Sequence, residues 1–138
     1  MPTASYNKYT AAIEPMLEAN QAQTDAWRVA LAATINAADT AFLAGTTDLA
    51  TAGGYTAGGN AATVATAAQT AGTYKLVLNS PAAWTATGAG FTFRYAILYD
   101  FTTLIPVGYW DYGSSQVVAA GETVTVTLDA TNGVFTAT

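Results

Sequence analysis

The chain has 138 residues, a net charge of −5, no cysteine and no histidine. That length predicts one domain, able to bury roughly 70% of its unfolded surface without disulfide staples. The two absences exclude disulfides, thiolate metal sites and the usual general base near neutral pH.

The basic residues are Lys8, Arg28, Lys75 and Arg94, and they are scattered. A nucleic-acid binder needs clustered cations, and so does a protein held on an anionic membrane surface. Neither partner is expected. No apolar run reaches the ~18 residues of a membrane span. The first residues lack the basic-then-apolar pattern of a signal peptide. The surface must then be made of Thr, Ser, Asn, Gln, Ala and Gly, which desolvates easily against another protein.

The spacing of Tyr6, Tyr9, Ile13 and Leu17, with Ser5 as a cap, predicts a helix from Ser5 to Asn20. Pro15 would cost about 3 kcal/mol inside it, so a break is expected near Glu14, or a second short helix from Pro15. Residues 1–22 therefore read as an N-terminal helical segment, and residues 23–138 as a β domain. From Asp25 to Thr34 the pattern is ambiguous. Trp27, Val29 and Leu31 alternate as in a strand, while Trp27, Leu31 and Ile35 are spaced as in a helix.

Residues 44–62 are rich in Gly and Thr and predict a long irregular arm, with turns at Gly53-Gly54 and Gly58-Gly59. Ala61–Ala71 reads as an edge strand. Tyr74, Leu76 and Leu78 share one face of a strand ended by Asn79-Ser80-Pro81. Phe91, Phe93, Tyr95, Ile97 and Tyr99 are expected on one face of the next. Leu104–Tyr112 is a further strand, with Pro106 placing it at an edge or a bulge. After a turn at Ala120-Gly121, Val124, Val126 and Leu128 point inward and the intervening threonines outward. Asn132-Gly133 has hairpin chemistry leading into Val134–Ala137. The fold class expected is mainly β: an antiparallel β-sandwich or barrel-like domain with a short N-terminal helix.

Few residues carry chemistry. Asp100, Asp111 and Glu122 are the carboxylates a glycosidase would need to converge, but single acids at strand ends are commonly solvated turn residues. Asp39, Asp48, Asp111 and Asp129 are isolated and form no dense cation-binding loop. The glycine pairs lack the Lys-Ser/Thr of a phosphate loop. No catalytic, cofactor or metal site is expected, and no cofactor. Tyr109-Trp110-Asp111-Tyr112 stands out, because four bulky residues in succession on a strand cannot all face one core. The interface candidates are Tyr6, Tyr9, Ile13, Tyr55, Trp84, Tyr109, Trp110 and Tyr112. Trp84 or Trp110 could alternatively serve as a sugar platform.

Several stretches taken in order carry a resemblance. They are Gly54-Tyr55-Thr56-Ala57-Gly58-Gly59, Ala71 to Leu78, Trp84-Thr85-Ala86, Phe93 to Tyr99, and Gly108 to Ser115. Together with Tyr6-Asn7-Lys8-Tyr9, they resemble a family of small virion structural proteins of tailed bacteriophages. The resemblance implies a particle component without a catalytic site, and it favours strand at Trp27–Ala33. The reading that follows is a capsid decoration (cement) protein on the outer surface of the virion. Its partner would be the major capsid protein, and it would form a homo-oligomer. The alternatives are a tail or fibre-associated protein and a carbohydrate-binding module.

Overall fold

The computed structural model describes residues 3–12, 16 and 22–138. Its elements among these residues are strands: β1 (Ser5–Lys8), β2 (Trp27–Ala32), β3 (Asn60–Ala61), β4 (Val64–Thr70), β5 (Thr73–Leu78), β6 (Trp84–Thr85), β7 (Phe91–Asp100), β8 (Ile105–Val118), β9 (Thr123–Val124) and β10 (Phe135–Ala137). They form three antiparallel sheets, ordered β1-β8-β7-β2-β3, β10-β5-β4 and β6-β9. The chain is mainly β, as its composition and alternation predict.

The five-stranded sheet is buried on both faces. Trp27, Val29 and Leu31 of β2 point to one core, with Leu76 and Leu78 of β5, Val124, Val126 and Leu128. Ala30 and Ala32 point the other way, into a smaller core with Tyr9, Phe42, Ile97 and Tyr99. Thr10 holds this second cover in place, through its N–H and its hydroxyl, both donated to the Ala37 carbonyl. Burial on both faces explains the ambiguity of Trp27–Thr34. A strand covered on both sides need not alternate, and it reads as a continuous apolar run.

The predicted helix at Ser5–Asn20 is corrected over its first turn. Ser5 to Lys8 pair with Asp111 to Gly108 as β1. The helical spacing of Tyr6 and Tyr9 is coincidental: Tyr6 lies over Gly108, where any β-carbon would overlap its ring, and Tyr9 enters the second core. Glu14 and Pro15, where the break was expected, lie outside the described residues, as do Ile13 and Leu17.

Phe91 to Tyr99 do not share one face. The β7–β8 register shifts between Phe93 and Tyr95. Phe93, Ala96 and Leu98 therefore line the first core, while Ile97 and Tyr99 line the second. A bulge adds a residue to one strand and reverses the alternation beyond it. Opposite it, Asp111 and Gln116 bracket residues that have no partner on β7. Arg94 fills the irregularity and grips Asp111 with two bonds of 2.9 and 3.1 Å. A second shift lies between Leu98 and Tyr99, beside Pro106. The bulge expected there is present, but β8 is not an edge, because β1 flanks it.

Asn132-Gly133 turns the chain without making a hairpin, since β10 pairs with β5. The Asp129 carboxylate builds the turn by accepting from the N–H groups of Thr131 and Asn132, at 2.8 Å each. β4 is an edge strand, as expected. Val124, Val126 and Leu128 are buried between exposed threonines, although the regular ladder covers only Thr123 and Val124.

Gly59 shows how tightly the Gly/Thr segment is seated. Its φ is +70°, and a β-carbon there would run into the Val29 carbonyl of β2. Gly72, at φ +82°, faces open space. Gly59→Ala is expected to cost more than about 3 kcal/mol, from backbone strain plus overpacking. Gly72→Ala should cost only about 1 kcal/mol, from φ alone. Thermal unfolding followed by circular dichroism checks the pair: a drop of about 5 °C for Gly72→Ala and at least twice that for Gly59→Ala.

Candidate functional site

The aromatic residues singled out from sequence are mostly interior. Tyr9, Tyr55, Trp84 and Trp110 are buried. Tyr6, Tyr109 and Tyr112 are half-buried, and Ile13 lies outside the described residues. The run Tyr109 to Tyr112 is accommodated by the two buried faces. Tyr109 packs edge-on against Tyr9 at 5.6 Å in the second core. Trp110 and Tyr112 face the first, meeting Tyr6 at 4.8 Å and Phe93 at 5.3 Å. Asp111 is held by Arg94, whose guanidinium, followed by the Gly113 N–H, keeps its carboxyl below the usual range.

The large apolar side chains exposed among the described residues lie elsewhere: Leu43, Phe101, Leu104 and Val117, at 58, 43, 43 and 75% exposure. Two of them lie at one end of the five-stranded sheet, and the segment of a third is tied to it. Phe101 and Leu104 sit in the β7–β8 turn. The segment carrying Leu43 is tied to this turn by the Phe42 N–H, which donates to the Leu104 carbonyl at 2.7 Å. The support underneath is rigid. The Phe42 ring stacks on Tyr99 at 3.7 Å and 8°, Tyr99 meets Phe101 edge-on at 6.4 Å, and the Arg28 guanidinium lies 4.1 Å from the centre of the Phe101 ring. Leu104 has φ +58°, a conformation costing about 1–2 kcal/mol for a residue with a β-carbon. A bulky side chain retained at an exposed, strained turn position is a recurrent mark of a binding surface.

Below this end lies a buried carboxylate. Asp48 accepts from the Tyr55 hydroxyl at 2.5 Å, the Gly58 N–H at 2.7 Å and the Gly45 N–H at 2.6 Å. The Tyr55 oxygen in turn accepts the Leu31 N–H of β2 at 3.0 Å. Tyr99 donates to the Gly58 carbonyl at 2.6 Å. Burial, then the bond to Asp48, pushes the Tyr55 hydroxyl well above its ordinary pKa, and burial takes Tyr99 up to about 12. Both phenols are therefore neutral donors at any physiological pH.

Asp100, at the root of the same turn, is fully buried. Its Oδ1 accepts from the Thr102 and Thr103 N–H groups at 2.8 and 3.1 Å. Its Oδ2 meets no N–H donor, and its side-chain neighbour is another acid, Asp25. Two carboxylates can bond only when one keeps a proton. Burial first, and Asp25 second, push Asp100 up to about 6.

The other acids have separate structural partners. Glu122 accepts from the Ala119 N–H at 2.8 Å, and Asp129 builds its turn. No three acidic side chains come together among the described residues. The exposed apolar end is the candidate site among the described residues. Sequence reasoning missed Phe101 and Leu104 because they fall in a turn. The available signal was a Phe-Thr-Thr-Leu turn with no Gly or Asn at the position needing positive φ. No protein-family model, curated protein or solved structure matches the chain.

Two outcomes follow from these acids. Asp48→Ala leaves two buried donors and one part-buried donor without an acceptor and should cost about 3 kcal/mol in urea unfolding. For Asp100, the folded state holds a proton that the unfolded chain has already lost between about pH 4 and 6. Its contribution to stability is therefore full below pH 4, is lost as pH rises to 6, and is flat above that. Asp100→Asn keeps the acceptor for Thr102 and Thr103 and offers Asp25 an N–H. Urea unfolding at a series of pH values should show this decline removed and stability at pH 7 raised by about 1–3 kcal/mol.

Proposed function

We propose that this chain is a virion structural protein: a capsid decoration (cement) protein that binds the major capsid protein on the outer surface of a phage head. In this reading the two packed sheet layers form a β-sandwich, and the Phe101–Leu104 end with Leu43 is the face laid on the shell. The observation that carries the reading is that exposed apolar end, supported by stacked rings below and strained at Leu104. A chain that places nearly all its aromatics inside leaves these side chains out against the hydrophobic gradient. The sequence resemblance supplies the partner class. The low charge agrees with it, since little needs desolvating on contact.

A cement protein works by mass action: it binds the assembled shell and not its separated parts, and so stabilises assembly by an amount set by affinity and occupancy. The sugar-platform alternative finds less support, because Trp84 and Trp110 are both buried.

Purified protein should co-sediment with expanded heads lacking it, at hundreds of copies per particle if lattice sites fill. Phe101→Ala should weaken this binding about tenfold, the effect of removing one aromatic anchor. Leu104→Gly should also weaken binding while leaving thermal stability equal or higher, because glycine accepts φ +58° without strain. No co-sedimentation by the parent protein, or full binding by both variants, overturns the proposal.

A further inference from the structure

β4 is the outer strand of the β10-β5-β4 sheet. Its sequence, VATAAQT, contains no charge, proline or glycine, and all of its residues but Val64 and Ala67 are exposed. Natural edge strands are usually protected by charge, proline or a cover. Among the described residues the one protective feature is the irregularity between Val64 and Thr66.

The turn fixes which backbone groups face out. Ala71 and Gly72 have φ +49° and +82°, the signature of a two-residue type I′ hairpin. In such a hairpin the closing pair, Thr70 and Thr73, exchanges both of its bonds. Alternation then turns the N–H and C=O groups of Thr70, Ala68 and Thr66 toward β5, and those of Ala67 and Gln69 away from it. Among the described residues nothing hydrogen-bonds to these outward groups.

We infer that this edge pairs, antiparallel and about a two-fold axis, with the β4 edge of a second copy of the chain. Pairing of a strand with its own copy is self-complementary by symmetry, provided no like charges meet. β4 supplies none, although the chain carries −5 overall. The nearest cation in register is Lys75 of β5, opposite Ala68. Across the joined sheet the two Lys75 residues would stand three strand spacings apart, about 14 Å, beyond the screening length in physiological salt. A foreign peptide is the poorer fit. Such recognition relies on side-chain pockets beside the edge, and β4 offers mainly alanine and threonine.

The contact is small. Two short edges bury less than the roughly 1,200 Å² of a stable complex, so the pair forms weakly in solution. On a particle surface, neighbouring copies raise its effective concentration; this last step alone rests on the decoration reading.

Sedimentation velocity of the full chain, from about 10 μM to about 1 mM, should show the average mass rising toward a dimer. Over the same range the Ala67 and Gln69 amides should exchange more slowly. Gln69→Pro removes an outward donor and no β4–β5 bond. It should fold with an unchanged circular dichroism spectrum and stay monomeric. Ala68→Glu can pair with Lys75 in its own hairpin while setting like charges across the axis. It should be monomeric at low salt and regain association at high salt. A parent protein that stays monomeric throughout, or association unchanged in either folded variant, overturns the inference. Heads take no part in this assay, so its failure and the failure of head binding are separate results.

Discussion

The Asp48 carboxylate holds the architecture of one whole end of the molecule. It lies at the centre of a buried hub joining Gly45, Tyr55 and Gly58. A buried carboxylate is tolerable only when its lone pairs are filled, and three short bonds fill them here. Through Tyr55 the hub reaches the Leu31 N–H, and Leu49 donates to the Leu31 carbonyl at 2.9 Å. β3 pairs with β2 only at Arg28 and Val29. Beyond that point the Gly/Thr segment does the work of a strand, satisfying the β2 edge with a side chain and a loop amide. It is an edge cover built from irregular backbone, and Gly59 is where that backbone comes closest to the sheet.

Covering that edge has a further effect. With the segment seated, Phe42 can stack on Tyr99 and close the second core. The five-stranded sheet then has two apolar faces, which absorb nearly every aromatic side chain. What remains outside is the turn that leaves the sheet directly above the hub. Arg28 belongs to both levels: it bonds the Gly59 carbonyl at 3.4 Å and lies against Phe101. The exposed apolar end is thus mounted on a cross-connected part of the chain, which would suit the proposed docking surface.

Alternation was legible wherever one face alone was buried. Leu76 and Leu78 of β5, and Val124, Val126 and Leu128, follow it plainly. It misled where that assumption failed. β2 is covered twice, so its pattern suits helix and strand alike. β7 changes face at the Arg94 bulge, which no period of two can encode. β1 is a strand because β8 offers it an edge; its own burial is slight, and the spacing of its tyrosines imitates a helix. The same error displaced the candidate site. Tyr109 to Tyr112 seemed to exceed what one core could hold, but two cores hold it. Phe101 and Leu104 escaped notice because turns are scanned for glycine and proline, and the informative feature was a leucine where glycine belongs.

The two long edges of the structure are treated differently, and the difference is physical. On the β2 side, the unpaired backbone is met by Tyr55 and Leu49, with the buried Asp48 side chain bonded to Tyr55. On the β4 side, a comparable length of backbone has no cover among the described residues, and the strand carries no charge. An edge open by neglect would select against itself, because an unprotected strand pairs indiscriminately with other edges. Here the irregularity after Val64 shortens the usable edge, and alanine and threonine give it nothing beyond backbone bonds. Under the inferred pairing, such an edge would associate weakly at ordinary concentration and more strongly when copies are held side by side. The proposed docking end and the proposed self-pairing edge along its side would complement one another. In the proposed reading the first would set position, and the second would add lateral cohesion that grows with occupancy.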